Sequence, residues 1–377
     1  MTNKLKVACI GCSDLALRGV LPHLLEADVR EKIDLVSVCD IDTERAALTA
    51  KKFKADAWHD DYDQLLETVD VDIVLILTPI GCHVDQAIAA LERGKHVYLQ
   101  KPMATDLAGA DRVIAAAEAS AGKLLVAPVN RLCPMTGKLQ EIIAGGELGT
   151  IYSVYTATHF TADYDGSGFD RSWHYSADGG PLRDRTVYSL ATLIDLFGPV
   201  RQLAALSNLR NPMAKADAAQ VAAAIDDNTL ILLQFDDGIQ AVSSGTYSME
   251  GRQVPAGFLG IYGSHGTIET TVIDPLTWYP TEAMVRTRDA AGQTNERSIT
   301  CPLTDVPGLH PPHNTLQECH VYADIIHLVD SVLANREPAG TAAQARHITE
   351  IIDKAYLAAQ TGHAQRLTTE FQRGQNS

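Results

Sequence analysis

The chain has 377 residues, 46% of them apolar, with a mean hydropathy near zero. At about 150 residues per domain this length points to two domains, and the ordinary apolar content without low-complexity stretches excludes disorder as the overall state. Thirty-one basic against 47 acidic residues leave a formal net charge of −16, a field that disfavours nucleic acid and anionic membrane surfaces as partners.

Residues 6–10 predict a short apolar strand ending at Gly11, and residues 15–25 then carry helical spacing. Residues 34–39 predict a second strand ending at Asp40. Asp42 follows as a cap for a helix over 44–53, its carboxylate accepting the free amides of the first turn. Residues 71–77 are an apolar run of the kind buried on both faces of a parallel sheet. Val84, Ala87, Ile88 and Leu91 then fall on one helical face, stopped by Gly94. A strand over 96–99, a helix marked by Leu107, Ala110, Ile114 and Ala117, and a strand over 124–127 complete the first third. Strands alternating with helices in this way make βαβ units, so residues 1–127 read as an α/β domain of Rossmann type, a doubly wound parallel sheet.

The rhythm changes near residue 128. Strands are expected over 151–156, 230–235, 239–243, 258–262 and 267–271, with turns at 236–238 and 263–266, and helices near 183–196, 316–333 and 342–359. Residues 128–377 therefore read as an α+β domain on a large, mostly antiparallel sheet. Its helices are too few to cover both faces, and an uncovered apolar face calls for a second copy, so a homodimer or homotetramer through this sheet is expected.

The apolar runs are far shorter than the ~18 residues of a membrane span. Residues 6–11 already read as strand and turn, not as a leader, so a cytoplasmic protein is expected. Seven scattered cysteines (Cys9, Cys12, Cys39, Cys82, Cys133, Cys301 and Cys319) suit reduced core thiols. His310, His313, Glu318 and His320 match no standard zinc spacing, and no metal is expected.

Three stretches carry chemistry. Gly11 to Ala16 lies where a first strand turns into a first helix, the place of a G-x-G-x-x-G/A dinucleotide fingerprint, with Ser13 replacing the middle glycine. Asp40 at the end of the second strand can accept both ribose hydroxyls of NAD and would repel the 2′-phosphate of NADP; an ordinary βα turn with a strand-end aspartate is the plainer alternative. Lys101, in Gln100-Lys101-Pro102, stands at the carboxyl end of the sheet, able to donate to a substrate hydroxyl or simply to face solvent. After Gly179-Gly180-Pro181, Asp184 and Tyr188 share a helix face at i, i+4. By residue type alone, Tyr188 suits a half-buried core tyrosine as well as an acid or base.

Together these landmarks resemble the glucose–fructose oxidoreductase/inositol dehydrogenase/rhizopine-catabolism family. The markers are Cys39 to Arg45, Thr78-Pro79-Ile80-Gly81-Cys82-His83, Gly94-Lys95-His96-Val97 leading to Gln100-Lys101-Pro102, Gly146-Glu147-Leu148-Gly149, and the helix of Asp184 and Tyr188. Two departures stand out: Gln100 replaces the family's usual glutamate, and Tyr188 stands where many members have histidine, as in the sugar-oxidising branch. The resemblance implies hydride transfer between a sugar, sugar-acid or cyclitol hydroxyl and NAD. Tyr188 would be the acid/base, Lys101 its assistant and Asp184 an orienting group. It implies cofactor contacts at Gly11, Ser13, Asp14, Leu15, Asp40, Ile41, Thr78, Pro79, His83, Gln100 and Lys101, and substrate contacts at Lys101, Arg131, Trp173, His174, Asp184 and Tyr188. Arg131, Arg171, Arg183 and Arg185 gather around the same segments, with surface salt bridges as the plain alternative. Two other functions fit the same resemblance: an NAD-retaining glycoside hydrolase and a non-catalytic sugar- or NAD-sensing regulator.

Overall fold

The structure is a computed structural model that describes residues 4–159, 178–210, 226–247, 254–274, 279–289 and 291–372. It divides into two compact units, residues 1–129 with 306–342, and residues 130–305 with 343–377.

The first unit is built on six strands: β1 (Leu5–Ile10), β2 (Ile33–Cys39), β3 (Ala57–His59), β4 (Ile73–Ile76), β5 (His96–Leu99) and β6 (Leu124–Val126). They lie in the order β3-β2-β1-β4-β5-β6 and every pairing is parallel. All four residues of β4 are buried, as expected of a strand covered on both faces. Asp42 caps the helix Thr43–Phe53 by accepting from the Arg45 amide at 3.0 Å, and Asp61 and Asp106 cap the helices Tyr62–Thr68 and Leu107–Ala119 in the same way. Each such cap contributes about 1 kcal/mol. The first helix departs from the regular α-helix that its spacing predicts. It is π-helical over Leu15–Val20 and α-helical only over Leu21–Leu24. Pro22 has no amide proton, and its ring would press on the carbonyl four residues back, which disfavours a continuous α-helix here.

Segment 306–342, which sequence order assigns to the second domain, belongs to the first unit. Its helix Cys319–Leu333 is buried there over most of its length, every residue from Cys319 to Ile326 included. The Tyr322 ring stacks on His313 and His23, with centroids 4.0 and 4.5 Å away. Arg18 meets Glu318 at 2.6 Å and Lys32 meets Asp330 at 2.7 Å. Order along the chain carries no signal for this return, because the helix completes a layer begun some 300 residues earlier.

The second unit holds β7 (Ile151–His159), β8 (Val200–Asn208), β9 (Asn228–Phe235), β10 (Gln240–Thr246), β11 (Val254–Gly263), β12 (Gly266–Ile273), β13 (Pro280–Arg288), β14 (Thr294–Thr300) and β15 (Gln365–Arg366). They form one sheet in the order β14-β13-β12-β11-β7-β10-β9-β8-β15. β7 and β10 run parallel and the other pairs antiparallel. Burial alternates cleanly along β9, so one face is core and the other open. The helix Val187–Phe197 lies on the core face against β7 and β11. Among the described residues, no helix is long and apolar enough to cross a membrane.

One buried acid in the first unit makes stability depend on pH. Asp324 is 1% exposed. One carboxylate oxygen accepts from the Val129 amide at 3.2 Å, while the other has no hydrogen-bond partner among the described residues. Burial pushes its pKa up to about 8. The folded chain therefore holds a proton that the unfolded chain releases between about pH 4 and 8, so stability falls as pH rises through that window. Asp324→Asn keeps an acceptor for Val129 and cannot ionise. Urea midpoints at about pH 5 and pH 8 should show the variant gaining about 1–3 kcal/mol on the parent over that rise.

Candidate functional site

In the first unit the strand order reverses between β1 and β4, the switch point where ligands of open α/β sheets bind. β1 ends in Gly11 at φ +90°, and a Cβ there would lie 2.9 Å from the Leu77 carbonyl carbon and oxygen. Only glycine meets both conditions. The next amide, Cys12 N, donates to Asp40 Oδ2 at 2.8 Å, while Asp42 N and Arg45 Nη2 donate to Oδ1 at 3.0 and 2.7 Å. Asp40 is 8% exposed. Burial pushes its pKa up, but the Arg45 hydrogen bond and the two amides outweigh this and hold it below the usual carboxylate range. Asp40 is thus an anchored anion beside the turn, flanked by Ile41, which is 92% exposed. Ser13, Asp14 and Leu15 open the helical run, with Asp14 paired to Arg18 at 2.9 Å. A backbone-lined turn at a helix start suits a pyrophosphate, and the adjacent carboxylate suits ribose hydroxyls, so these residues fit a dinucleotide.

The carboxyl ends of β4 and β5 hold the other expected cofactor residues. His83, placed by the sequence among the cofactor contacts, is 1% exposed. Its Nδ1 lies 2.8 Å from the Pro102 carbonyl oxygen and its Nε2 lies 2.9 Å from that of Thr78. Both ring nitrogens thus face the protein's own main chain, and His83 stands between the Thr78-Pro79 loop and the Lys101-Pro102 loop. Gln100 also works on its own loop: Oε1 accepts from Lys101 N at 3.0 Å and Nε2 donates to Tyr98 Oη at 3.1 Å. A glutamate could not make the second bond as donor.

In the second unit, Gly180 sits at φ +95°, and a Cβ there would come within 2.2 Å of Asp226 Oδ1. Its carbonyl accepts from Asp184 N at 3.0 Å and from Tyr247 Oη at 3.1 Å. Asp184 is buried, with Oδ2 3.0 Å from Tyr247 Oη and 3.1 Å from Arg185 Nε. Behind it Asp226 accepts from Tyr356 Oη at 2.8 Å and from the Thr229 hydroxyl. Burial, against these two bonds, pushes the Asp226 pKa up to about 6. The Arg183 guanidinium lies 4.9 Å over the Tyr356 ring. Tyr188 is buried, its carbonyl accepting from Asn130 Nδ2 at 3.0 Å and Thr192 Oγ1 at 3.1 Å. Asp184 falls in a π-helical turn, Leu182–Thr186, that runs into the α-helix carrying Tyr188, where regular α-helical spacing was expected.

The structure thus brings Asp184 and Tyr188 onto one helical run of the second unit, while Lys101 belongs to the first. Arg131 Nε stands 3.5 Å from Asp195, so Arg131 and Arg185 face carboxylates of the chain instead of forming surface pairs. Arg171, Trp173 and His174 lie outside the described residues. Tyr247, Asp226 and Tyr356 were not singled out from sequence. Tyr247 had a readable signal, since it continues the inward parity of 241, 243 and 245 along β10. The sequence-flagged His313 is engaged in the first unit, 2.9 Å from His23 through their Nδ1 atoms and 3.2 Å from Asp28. Six of the seven cysteines are buried free thiols, Cys82 being the exposed one.

Residues 5–127 match the profile described as "Oxidoreductase family, NAD-binding Rossmann fold", and residues 136–269 match that of the "GFO/IDH/MocA C-terminal domain". The chain belongs to the GFO/IDH/MocA family. Among curated relatives, a dTDP-3,4-didehydro-2,6-dideoxy-alpha-D-glucose 3-reductase of Streptomyces antibioticus is 30% identical over 197 residues, 52% of this chain and 58% of the relative. An uncharacterized oxidoreductase of Rhizobium meliloti is 30% identical over 189 residues, 50% of this chain and 54% of the relative. These matches span little more than half the length of the curated relatives. Among solved structures, an oxidoreductase domain protein from Kribbella flavida superposes with a TM-score of 0.80 at 22% identity, over 98% of this chain and 100% of the other. A levoglucosan dehydrogenase bound to NADH and levoglucosan gives 0.80 at 20% identity, over 97% and 99%. At such identities the shared feature is the fold.

Proposed function

We propose that this GFO/IDH/MocA protein is an NAD-dependent oxidoreductase that moves a hydride between a hydroxyl of a sugar, sugar acid or cyclitol and nicotinamide. The observation that carries the reading is Asp40, an anion anchored at the end of β2 beside a glycine turn that admits a pyrophosphate. The family's description and relatives named as a sugar-nucleotide reductase, a D-xylose 1-dehydrogenase and inositol 2-dehydrogenases support it. Bound NAD supplies the carbon that takes the hydride. In the proposed reaction Tyr188 Oη takes the substrate's hydroxyl proton. A free tyrosine has a pKa of about 10, and in this reading Lys101 is the cation that assists Tyr188. Asp184, held by Tyr247 and next to Arg185, orients a substrate hydroxyl. Because Arg131 and Arg185 face carboxylates of the chain itself, an uncharged, hydroxyl-rich substrate fits this reading best.

The proposed assembly is a homodimer or homotetramer through the open face of the large sheet. Leu206, Leu230, Leu232 and Tyr155 share that face and are 71%, 45%, 57% and 47% exposed. The register sets Leu206 beside Leu230 and carries the row from Leu232 through Val242 to Tyr155. Such an apolar band is suited to a second copy of the chain.

Three measurements test these readings. Titration with NADH and NADPH should give tighter binding of NADH, and Asp40→Ala should weaken NADH and narrow the gap; equal affinities in the parent would remove the NAD assignment. Tyr188→Phe should fold normally and lose about 10²–10⁴-fold in turnover with NADH affinity nearly unchanged, and Lys101→Met should also lose turnover, with an upward shift of the pH optimum. A Phe variant of normal turnover returns Tyr188 to the core. Light scattering at micromolar concentration should show a dimer or tetramer, and a monomer there would refute the assembly.

A further inference from the structure

We infer that His83 is a positioning residue whose protonation fastens the Thr78 and Pro102 loops to one another when the dinucleotide is held; the inference rests on the NAD reading above. A neutral imidazole carries one N–H, and a carbonyl oxygen carries none. Yet both His83 nitrogens stand at hydrogen-bond distance from carbonyl oxygens, 2.8 Å to Pro102 and 2.9 Å to Thr78. Those distances leave no room for a bridging water. With one proton the ring makes one of the two bonds, and the other nitrogen sets its lone pair against an oxygen. With two protons it makes both.

The charges around the ring set where this happens. The Pro102 loop brings the Lys101 ammonium, which acts directly on His83. The turn Ile80–Cys82 brings the Cys82 thiol, β4 is aliphatic, and the next helix begins with Asp106, whose carboxylate accepts from Gly109 N. On its own helix Asp85 pairs with Arg112 at 2.9 Å. Burial first, and then the Lys101 charge, press the His83 pKa below the usual histidine value against the pull of the two carbonyls. At neutral pH the free protein therefore has one loop contact made and one open. A ligand that needs both loops fixed favours the doubly protonated ring, so its binding takes up a proton and tightens as pH falls.

NADH fluorescence titrations of the full chain between about pH 5 and 8 test this. Parent affinity should improve about fivefold or more toward acid, and His83→Gln, whose amide does not titrate, should bind with little pH dependence. Lys101→Met should move the midpoint of the parent curve upward, because it removes the charge that opposes protonation. That arm decides the question even where His83→Gln fails to fold. A pH-flat parent, the same slope in His83→Gln, or an unmoved midpoint in Lys101→Met overturns the inference and leaves the NAD reading standing. No NADH binding at any pH overturns both.

Discussion

The switch point of the six-stranded sheet depends on one buried carboxylate. Asp40 collects the Cys12 amide that follows the glycine turn, the Asp42 amide, and the Arg45 guanidinium from the next helix. Three donors from two different loops converge on it, so the ends of β1 and β2 and the first turn of the helix Thr43–Phe53 behave as one body. A charge-assisted bond of this kind is about twice as strong as a neutral one. The cost of holding an anion at low exposure is offset only while all three donors stay in place, which makes the geometry of the turn and the ionisation of Asp40 two aspects of a single constraint.

The second unit solves a similar problem without a strand end. Gly180 lets its main chain pass against Asp226, and its carbonyl then gathers Asp184 N and the Tyr247 hydroxyl. Asp226 and Tyr356 behind it, and Asp184 and Tyr247 in front, leave the helical run that begins at Leu182 little freedom to rotate. Buried polar networks of this sort are high in stakes: complete, they define one conformation, and lacking a member they leave a desolvated group without a partner.

Much of this was legible in the chain. The alternation of apolar runs with helical spacing predicted the parallel sheet, and the capping role of Asp42 followed from its position alone. The tight turn at Gly11 and the acidic residue closing β2 were readable as a strand-to-helix turn, because the turn needs a glycine at that place. Other features carried no local signal. β3 is three residues long, too short for a period to show, and β14 is exposed along nearly its whole length, so it has no apolar alternation to read. The inward turn of His83 depends on two carbonyls that sequence does not display, and the Tyr247 hydroxyl that reaches Asp184 comes from 63 positions away. The π-helical turns reflect local hydrogen bonding that residue spacing does not encode. The return of segment 306–342 to the first unit is tertiary, and no propensity announces it.

That return has a consequence for how the chain reaches its fold. The first unit is interrupted: everything from Asn130 to Asp305 is inserted into it. During synthesis the six parallel strands emerge early, but the helix that stacks Tyr322 on His23 and brings Glu318 to Arg18 emerges only after strands β7 to β14 of the large sheet have passed. Until then the nascent first unit carries an uncovered apolar flank, and its last contacts close a loop of roughly 300 residues, a slow and non-local event. A fragment ending near residue 129 would keep every strand of its sheet and still lack the layer that seals it, so the gene cannot be cut at the visible break in rhythm without opening the core.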